Sequence, residues 1–534
     1  MDVFLADSEI VVGWKRLRSY LGRWIDKIAR VVGALNLLKE KKFMVNITMD
    51  TIITGGQVVT KGGVQKLSIG VKDGKIAVLG PDGVLNSARQ VIDATGKYVL
   101  PGLVDPENHL GTHRPLKDSL SSETKAAAAG GVTTWGMMQA SPKLRKKHID
   151  EPRPEDVVPF SQVMPEFIEQ VENHSCVDIF LTGFITTDEQ ALDIPRVAKE
   201  FGVTSFKYYL HMMQGPSTHT AWSGRQKGGW LGFDDGTIYL GMEKAAEIGP
   251  PGLICIHPEN YEIARIFEER LKEAGRTDMA AWDERSPHFC EAGHVRNYAY
   301  YAGVTGCPLY IVHTTTRESI QEILKAKAEG IKIYAQTGHH YLTLSHDVWK
   351  INVPLRDEET MAYLWQALRA GNLDCVGTDH VDWGMSREQM DKGNVWETSS
   401  GFPSRVESYL PVMLTEGVHK NRISLEKLVE VCCENPARIF GIYPRKGSIS
   451  VGSDADLVLV DLQRAMKVHR DMIYSSAGWS IWEGQELKGW PVMTILRGQV
   501  IMEWPEGAPR AKILGEKPSG RYIPRKPGHQ LYPI

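Results

Sequence analysis

Short, nearly uninterrupted apolar runs that end directly in an ionisable side chain constrain this chain more than any other feature of its sequence. Leu253-Ile254-Cys255-Ile256 runs into His257, Leu309-Tyr310-Ile311-Val312 into His313, and Cys375-Val376-Gly377-Thr378 into Asp379. Unbroken apolarity marks a strand covered on both faces, because a half-exposed strand alternates. Helical stretches such as 319–329 and 359–370 follow such runs. Repeated strand–helix units predict an α/β fold, a (β/α)8 TIM-like barrel over residues 103–442, with its reactive groups at the C-terminal ends of the strands.

The two flanks of that middle have a different texture. Short β runs with turn residues between them fill residues 48–102 and return over 443–525, as in Asp456-Leu457-Val458-Leu459-Val460-Asp461. They predict one small β-sandwich domain assembled from both ends of the chain, with 526–534 as a tail. Residues 1–43 carry Trp14, Leu17, Leu21, Trp24, Ile28, Val31, Leu35 and Leu38 at spacings of three and four, an amphipathic helix. Early acidic residues and the lack of a small-residue cleavage site make it a poor signal peptide. It is read as an appended extension, with an oligomer-packing or membrane-surface role as the alternatives.

Composition then excludes several classes. Lys and Arg total 62 against 65 Asp and Glu, so there is no basic excess of the kind a nucleic-acid binder shows. No stretch approaches the ~18 consecutive apolar residues of a spanning helix, so no integral membrane association is expected. Seven cysteines are scattered without metal-binding or disulfide spacing, which predicts a reducing, cytoplasmic setting.

The barrel rule collects the ionisable residues at one mouth. Val99 to Asp105 leads to Glu107 and His109, Thr204-Ser205-Phe206 leads to Lys207, and later runs deliver His257, His313 and Asp379. Residues two apart on a strand point the same way, so Glu107 and His109 share a side. Singly, each has a bland reading as a structural residue. Together, imidazole and carboxylate side chains converging on one point suit Zn2+ and neighbouring divalent ions.

At this point the sequence resembles the amidohydrolase superfamily, in its hydantoinase/dihydropyrimidinase branch. The resemblance is carried by Pro101-Gly102-Leu103-Val104-Asp105-Pro106-Glu107-Asn108-His109-Leu110, by Gln336-Thr337-Gly338-His339-His340-Tyr341-Leu342, and by Asn352-Val353-Pro354-Leu355-Arg356. A C-terminal signature runs from Asn435-Pro436-Ala437-Arg438 to Asp454-Ala455-Asp456. The resemblance implies one or two divalent ions, Zn or Mn, with a carboxylated Lys207 bridging two of them. His257 and His313 would hold the more exposed ion, and Glu107, His109 and Asp379 the buried one. Asp379 would also carry the proton between attacking water and leaving nitrogen. The implied reaction is metal-dependent hydrolysis of a C–N bond in a cyclic amide, ureide or imide, by an enzyme that is commonly a tetramer, with a dimer as the alternative.

Four positions depart from the family pattern. Glu107 stands where the family has the first His of a His-x-His pair, and either serves as a carboxylate ligand or only hydrogen-bonds nearby. As a ligand it brings the two-ion site to neutrality: Glu107, carboxylated Lys207, Asp379 and a hydroxide balance two divalent ions. Met212 occupies the position of the family's oxyanion-donating Tyr, and His211 is the candidate substitute, a catalytic donor. Asn352 replaces a substrate-binding Ser, so Met212 and Asn352 are read as substrate contacts. Gln336 replaces a Glu. The segment 213–236, with Trp222 and Trp230, is read as a pocket cover or as a surface insertion. Alternatives are a hydrolase of linear or aryl-substituted amides, and a non-catalytic scaffold.

Overall fold

The computed structural model describes residues 48–534 apart from 61, 84, 86, 148, 150–151, 213–232, 516–517, 529–531 and 533–534. The helix read over 1–43, and the segment read as a pocket cover as far as residue 232, lie outside the described residues.

Eight parallel strands close the barrel. They are Leu103–His109, Val132–Ala140, Asp178–Phe184, Ser205–Tyr209, Leu253–His257, Leu309–Ile311, Ile333–Gly338 and a last, split strand of Cys375–Gly377 and His380–Val381. The first part of that last strand pairs with Ile333–Gly338 and the second with Leu103–His109, which removes every open edge. Every residue of Leu103–His109, Val132–Ala140, Asp178–Phe184 and Leu253–His257 is buried, as unbroken apolar runs require. Helices return the chain between strands with local signals. Asp188–Phe201 starts where the Thr187 side chain accepts from the Gln190 amide, and stops at Gly202, whose φ is +69°.

Inside the barrel, Val104, Met138, Phe180, Cys255, Tyr310 and Cys375 fill the centre. Phe440 packs against Phe180 and Tyr310. The end of the chain also joins the barrel: Tyr522 pairs with Ile179, and the Arg525 guanidinium lies 5.0 Å from the Phe180 ring.

Among the described residues the second sheet has ten strands and draws them from both flanks of the barrel sequence, as the two flanking textures predict. Its joint is the antiparallel pairing of Tyr98–Pro101 with Leu457–Lys467, where Val99 faces Leu459. Ile53, Val58, Ile69, Ile76, Leu457 and Ile495 share its core. A single residue, Gly102, separates Tyr98–Pro101 from the first barrel strand. A Cβ there would stand 2.1 Å from the Thr133 hydroxyl oxygen, so only glycine lets the β domain feed the barrel so closely.

Candidate active site

The first barrel strand places Glu107 and His109 on one side, as their spacing requires. Glu107 is fully buried, and Lys207 donates from Nζ to its Oε1 at 3.1 Å. Gln336 donates to the other carboxylate oxygen, and Tyr310 donates to the Gln336 carbonyl at 2.6 Å. His109 Nε2 lies 2.8 Å from Asp379 Oδ1 and 3.8 Å from Glu107 Oε1. Its Nδ1 meets the Met138 carbonyl at 3.0 Å and the Tyr209 hydroxyl at 3.1 Å. Arg405, almost wholly buried, donates from Nη1 to Asp379 Oδ2 at 2.9 Å. Burial alone would raise the Asp379 pKa, but Arg405 and His109 outweigh it and hold the carboxyl well below its ordinary range.

Across the mouth the groups are imidazoles. His211 and His257 rings lie 4.3 Å apart between centroids, and His257 and His313 lie 4.4 Å apart. Burial pushes the pKa of all three below the ordinary histidine value, which keeps them neutral and leaves a lone pair on each. His257 Nε2 is 3.5 Å from Glu259 Oε2, while Glu259 Oε1 accepts from Arg285 at 2.8 Å.

These residues fit a divalent ion on two observations. Glu107, His109 and Asp379 bring one donor atom each within 4.8 Å of one another, as do His211, His257 and Glu259. In addition, Nδ1 of His211 and Nδ1 of His313 are buried without a hydrogen-bond partner among the described residues. A buried polar atom left in that state costs about 1–3 kcal/mol, which a ligand to the nitrogen removes.

Backbone strain gathers here too. His313 and Asp379 have φ of +34° and +48°, a region that costs a residue with a side chain on the order of 1–2 kcal/mol. Both are the residues that leave their strands at the mouth.

The structure brings together the residues that the apolar runs marked. His109, His211, His257, His313, Asp379 and Arg405 line one cavity, together with Met212 and Asn352. Glu107 lies buried behind them, and Lys207 sits within Ser205–Tyr209 rather than beyond it. Four participants were not assigned a role from the sequence. Arg405 adds a positive charge that the neutral charge count omitted. Gln336, noted only as a departure, holds Glu107. Tyr209, rather than the residue at the Met212 position, supplies a phenol to the centre. Glu259 stands two residues beyond His257, past the end of the strand Leu253–His257, where the rule for residues two apart on a strand does not reach.

Comparison with known proteins agrees with this architecture. A model described as the amidohydrolase family matches residues 287–501. The L-hydantoinase of Paenarthrobacter aurescens is 30% identical over 492 residues, covering 89% of this chain and 98% of that protein. The D-hydantoinase of Ralstonia pickettii is 30% identical over 90% of this chain and 99% of its own length. Among solved structures, the L-hydantoinase (dihydropyrimidinase) from Arthrobacter aurescens superimposes with a TM-score of 0.77 at 29% identity, covering 90% of this chain and 100% of that one. A shared barrel, a shared composite β domain and nearly end-to-end similarity lead to one conclusion: this chain belongs to the amidohydrolase family, in its hydantoinase branch.

Proposed function

We propose that this protein hydrolyses a C–N bond in the ring of a cyclic amide, ureide or imide, using divalent metal held at the barrel mouth. The observation that carries the reading is the convergence of His109, His257, His313 and Asp379 on one cavity in a chain similar to a hydantoinase over 89% of its length. The metal ligands are proposed to come from Glu107, His109, Lys207, His257, His313 and Asp379, with Zn or Mn as the ion. When bound, a divalent ion acidifies water and polarises a carbonyl. In this reading Asp379 takes the proton from attacking water and returns it to the leaving nitrogen, supported by Arg405 and His109 at its two oxygens. The Lys207 amine faces Glu107, so carboxylating it sets two anions side by side. A bridging carbamate on Lys207 therefore belongs to a centre that holds two ions, and the ammonium form to a centre that holds one.

Asn352 supports a ring substrate over an open-chain one. It lines the cavity, and both polar atoms of its side-chain amide lack a partner among the described residues. An amide inside a small ring is cis and presents its N–H and C=O side by side, so one carboxamide can pair with both. An open-chain amide is trans and turns them apart. The aromatic and sulfur groups of Trp383 and Met212 beside Asn352 would contact the ring substituent.

The test is a panel of hydantoin, dihydrouracil and linear aryl amides given to the purified protein before and after chelation. Ring opening of a cyclic member, lost on chelation and restored by Zn2+ or Mn2+, is the expected result. Cleavage of the linear amides alone, or activity indifferent to chelation, would overturn the reading. We further propose a homo-oligomer, dimer or tetramer, in the cytoplasm. The seven cysteines, all free, support the reducing setting. Among the described residues no helix is long and apolar enough to cross a membrane.

A further inference from the structure

The two sides of the mouth differ in what their donor atoms already hold. On the carboxylate flank every oxygen has a protein partner. Glu107 takes Lys207 on Oε1 and Gln336 on Oε2, and Asp379 takes His109 on Oδ1 and Arg405 on Oδ2. Two protein cations therefore already balance the two carboxylates. On the imidazole flank, Nδ1 of His211 and Nδ1 of His313 are buried and unpartnered among the described residues. Glu259 is locked by Arg285 through Oε1, while its Oε2 reaches His257 only at 3.5 Å, too far for a strong hydrogen bond. That oxygen, fully buried, is thus aimed at the imidazoles without being consumed by them.

We propose that His211, His257 and Glu259, with His313 beside them, form a divalent-cation site that fills without help from Glu107, Lys207 or Asp379. The proposal rests on the metal-hydrolase reading and deepens it. It assigns the first ion to the imidazole flank and adds two donors, one of which, His211, the sequence marked as an oxyanion donor instead. Two or three imidazoles and one carboxylate are a Zn2+ donor set, and nitrogen donors favour zinc or cobalt over magnesium or calcium. Electrostatics points the same way. Glu259 and Arg285 cancel, so a cation meets a site lined with lone pairs beside one protein cation rather than two. On the other flank an ion must displace Lys207 and Arg405 from their carboxylates or sit beside both charges.

The experiment strips the full-length protein with a chelator and titrates it with Co2+ alone. Elemental analysis gives the stoichiometry, and the visible ligand-field absorption of cobalt reports its coordination. One ion per chain is expected at the first equivalence point. His211→Asn and Glu259→Gln should each weaken binding by at least about 10–100-fold, the loss caused by removing even a group that only supports a metal ligand. Glu107→Gln should leave that first affinity and spectrum unchanged. Thermal melts of the metal-free variants check folding, and if Glu259→Gln melts early, His211→Asn decides. Unchanged cobalt binding in His211→Asn, or abolished binding in Glu107→Gln, overturns the site. Cobalt binding as expected, with no cyclic amide opened by the loaded protein, defeats the hydrolase reading and leaves the site standing. Ring opening with unaltered affinity in His211→Asn does the reverse.

Discussion

The carboxylate and imidazole flanks face each other across one barrel mouth, yet they manage buried polarity in opposite ways. Glu107 and Asp379 are anions, and the fold surrounds them with Lys207, Gln336, His109 and Arg405, so each carboxylate oxygen already has one protein partner. His211 and His313 are neutral, and the fold leaves a nitrogen of each without a partner among the described residues. The difference follows from desolvation. An uncompensated buried charge is far more costly than an unpartnered neutral nitrogen, so the protein must satisfy the first and can tolerate the second. One flank thus presents compensated charges, the other neutral nitrogens without a partner.

Substitutions can break that comparison in order of size. The largest expected effect is on turnover. Asp379→Asn keeps the shape and removes the proton acceptor, so ring-opening kcat should fall by about 10²–10⁴-fold, measured under saturating metal. A drop below tenfold would assign the proton to another group.

Next in size is stability on the carboxylate flank. Lys207→Met leaves Glu107 buried without its cation, and chemical denaturation should show a loss of about 3–5 kcal/mol. Adding Glu107→Leu to that variant should recover most of the loss, because the uncompensated charge goes with it. Failure of the second change to rescue would mean that the pair is not the source of the cost.

The smallest expected effect sharpens the comparison further. Gln336→Leu removes one hydrogen bond to the same carboxylate and leaves the ion pair, so about 1.5–3 kcal/mol should be lost, read as a lower denaturation midpoint at constant m-value. A loss as large as that of Lys207→Met would show that the amide, and not the ammonium, carries the flank.

Much of this site was legible because apolar periodicity says where a buried parallel strand stops, and the next residue must then emerge at the mouth. His257, His313 and Asp379 are found in that way, and Glu107 with His109 by their spacing of two. The composite β domain was legible for a similar reason, since alternating textures at both ends of the chain have no separate core to bury. Arg405 was not legible. It opens the helix Arg405–Val412, follows no apolar strand, and meets Asp379 only because the chain from Val381 onward returns across the mouth. Gln336 could be seen as a departure from a pattern, but its role as a donor to Glu107 depends on two strands far apart in sequence, with the split last strand between them, sending side chains into the same barrel interior.

The sequence by itself determined the barrel, the domain that its two ends build together, and the identity of the side chains sent to the mouth. These follow from hydrophobic periodicity and residue spacing, which are local properties of the chain. Only the tertiary structure decided how those side chains divide the work. Which carboxylate receives Lys207, which receives Arg405, and which imidazole nitrogens stay unpartnered depend on distances of about 3 Å between strands remote in sequence. Hydrogen bonding and charge compensation act over that range alone, so the division of the mouth into a satisfied flank and a receptive one is a property of the folded molecule.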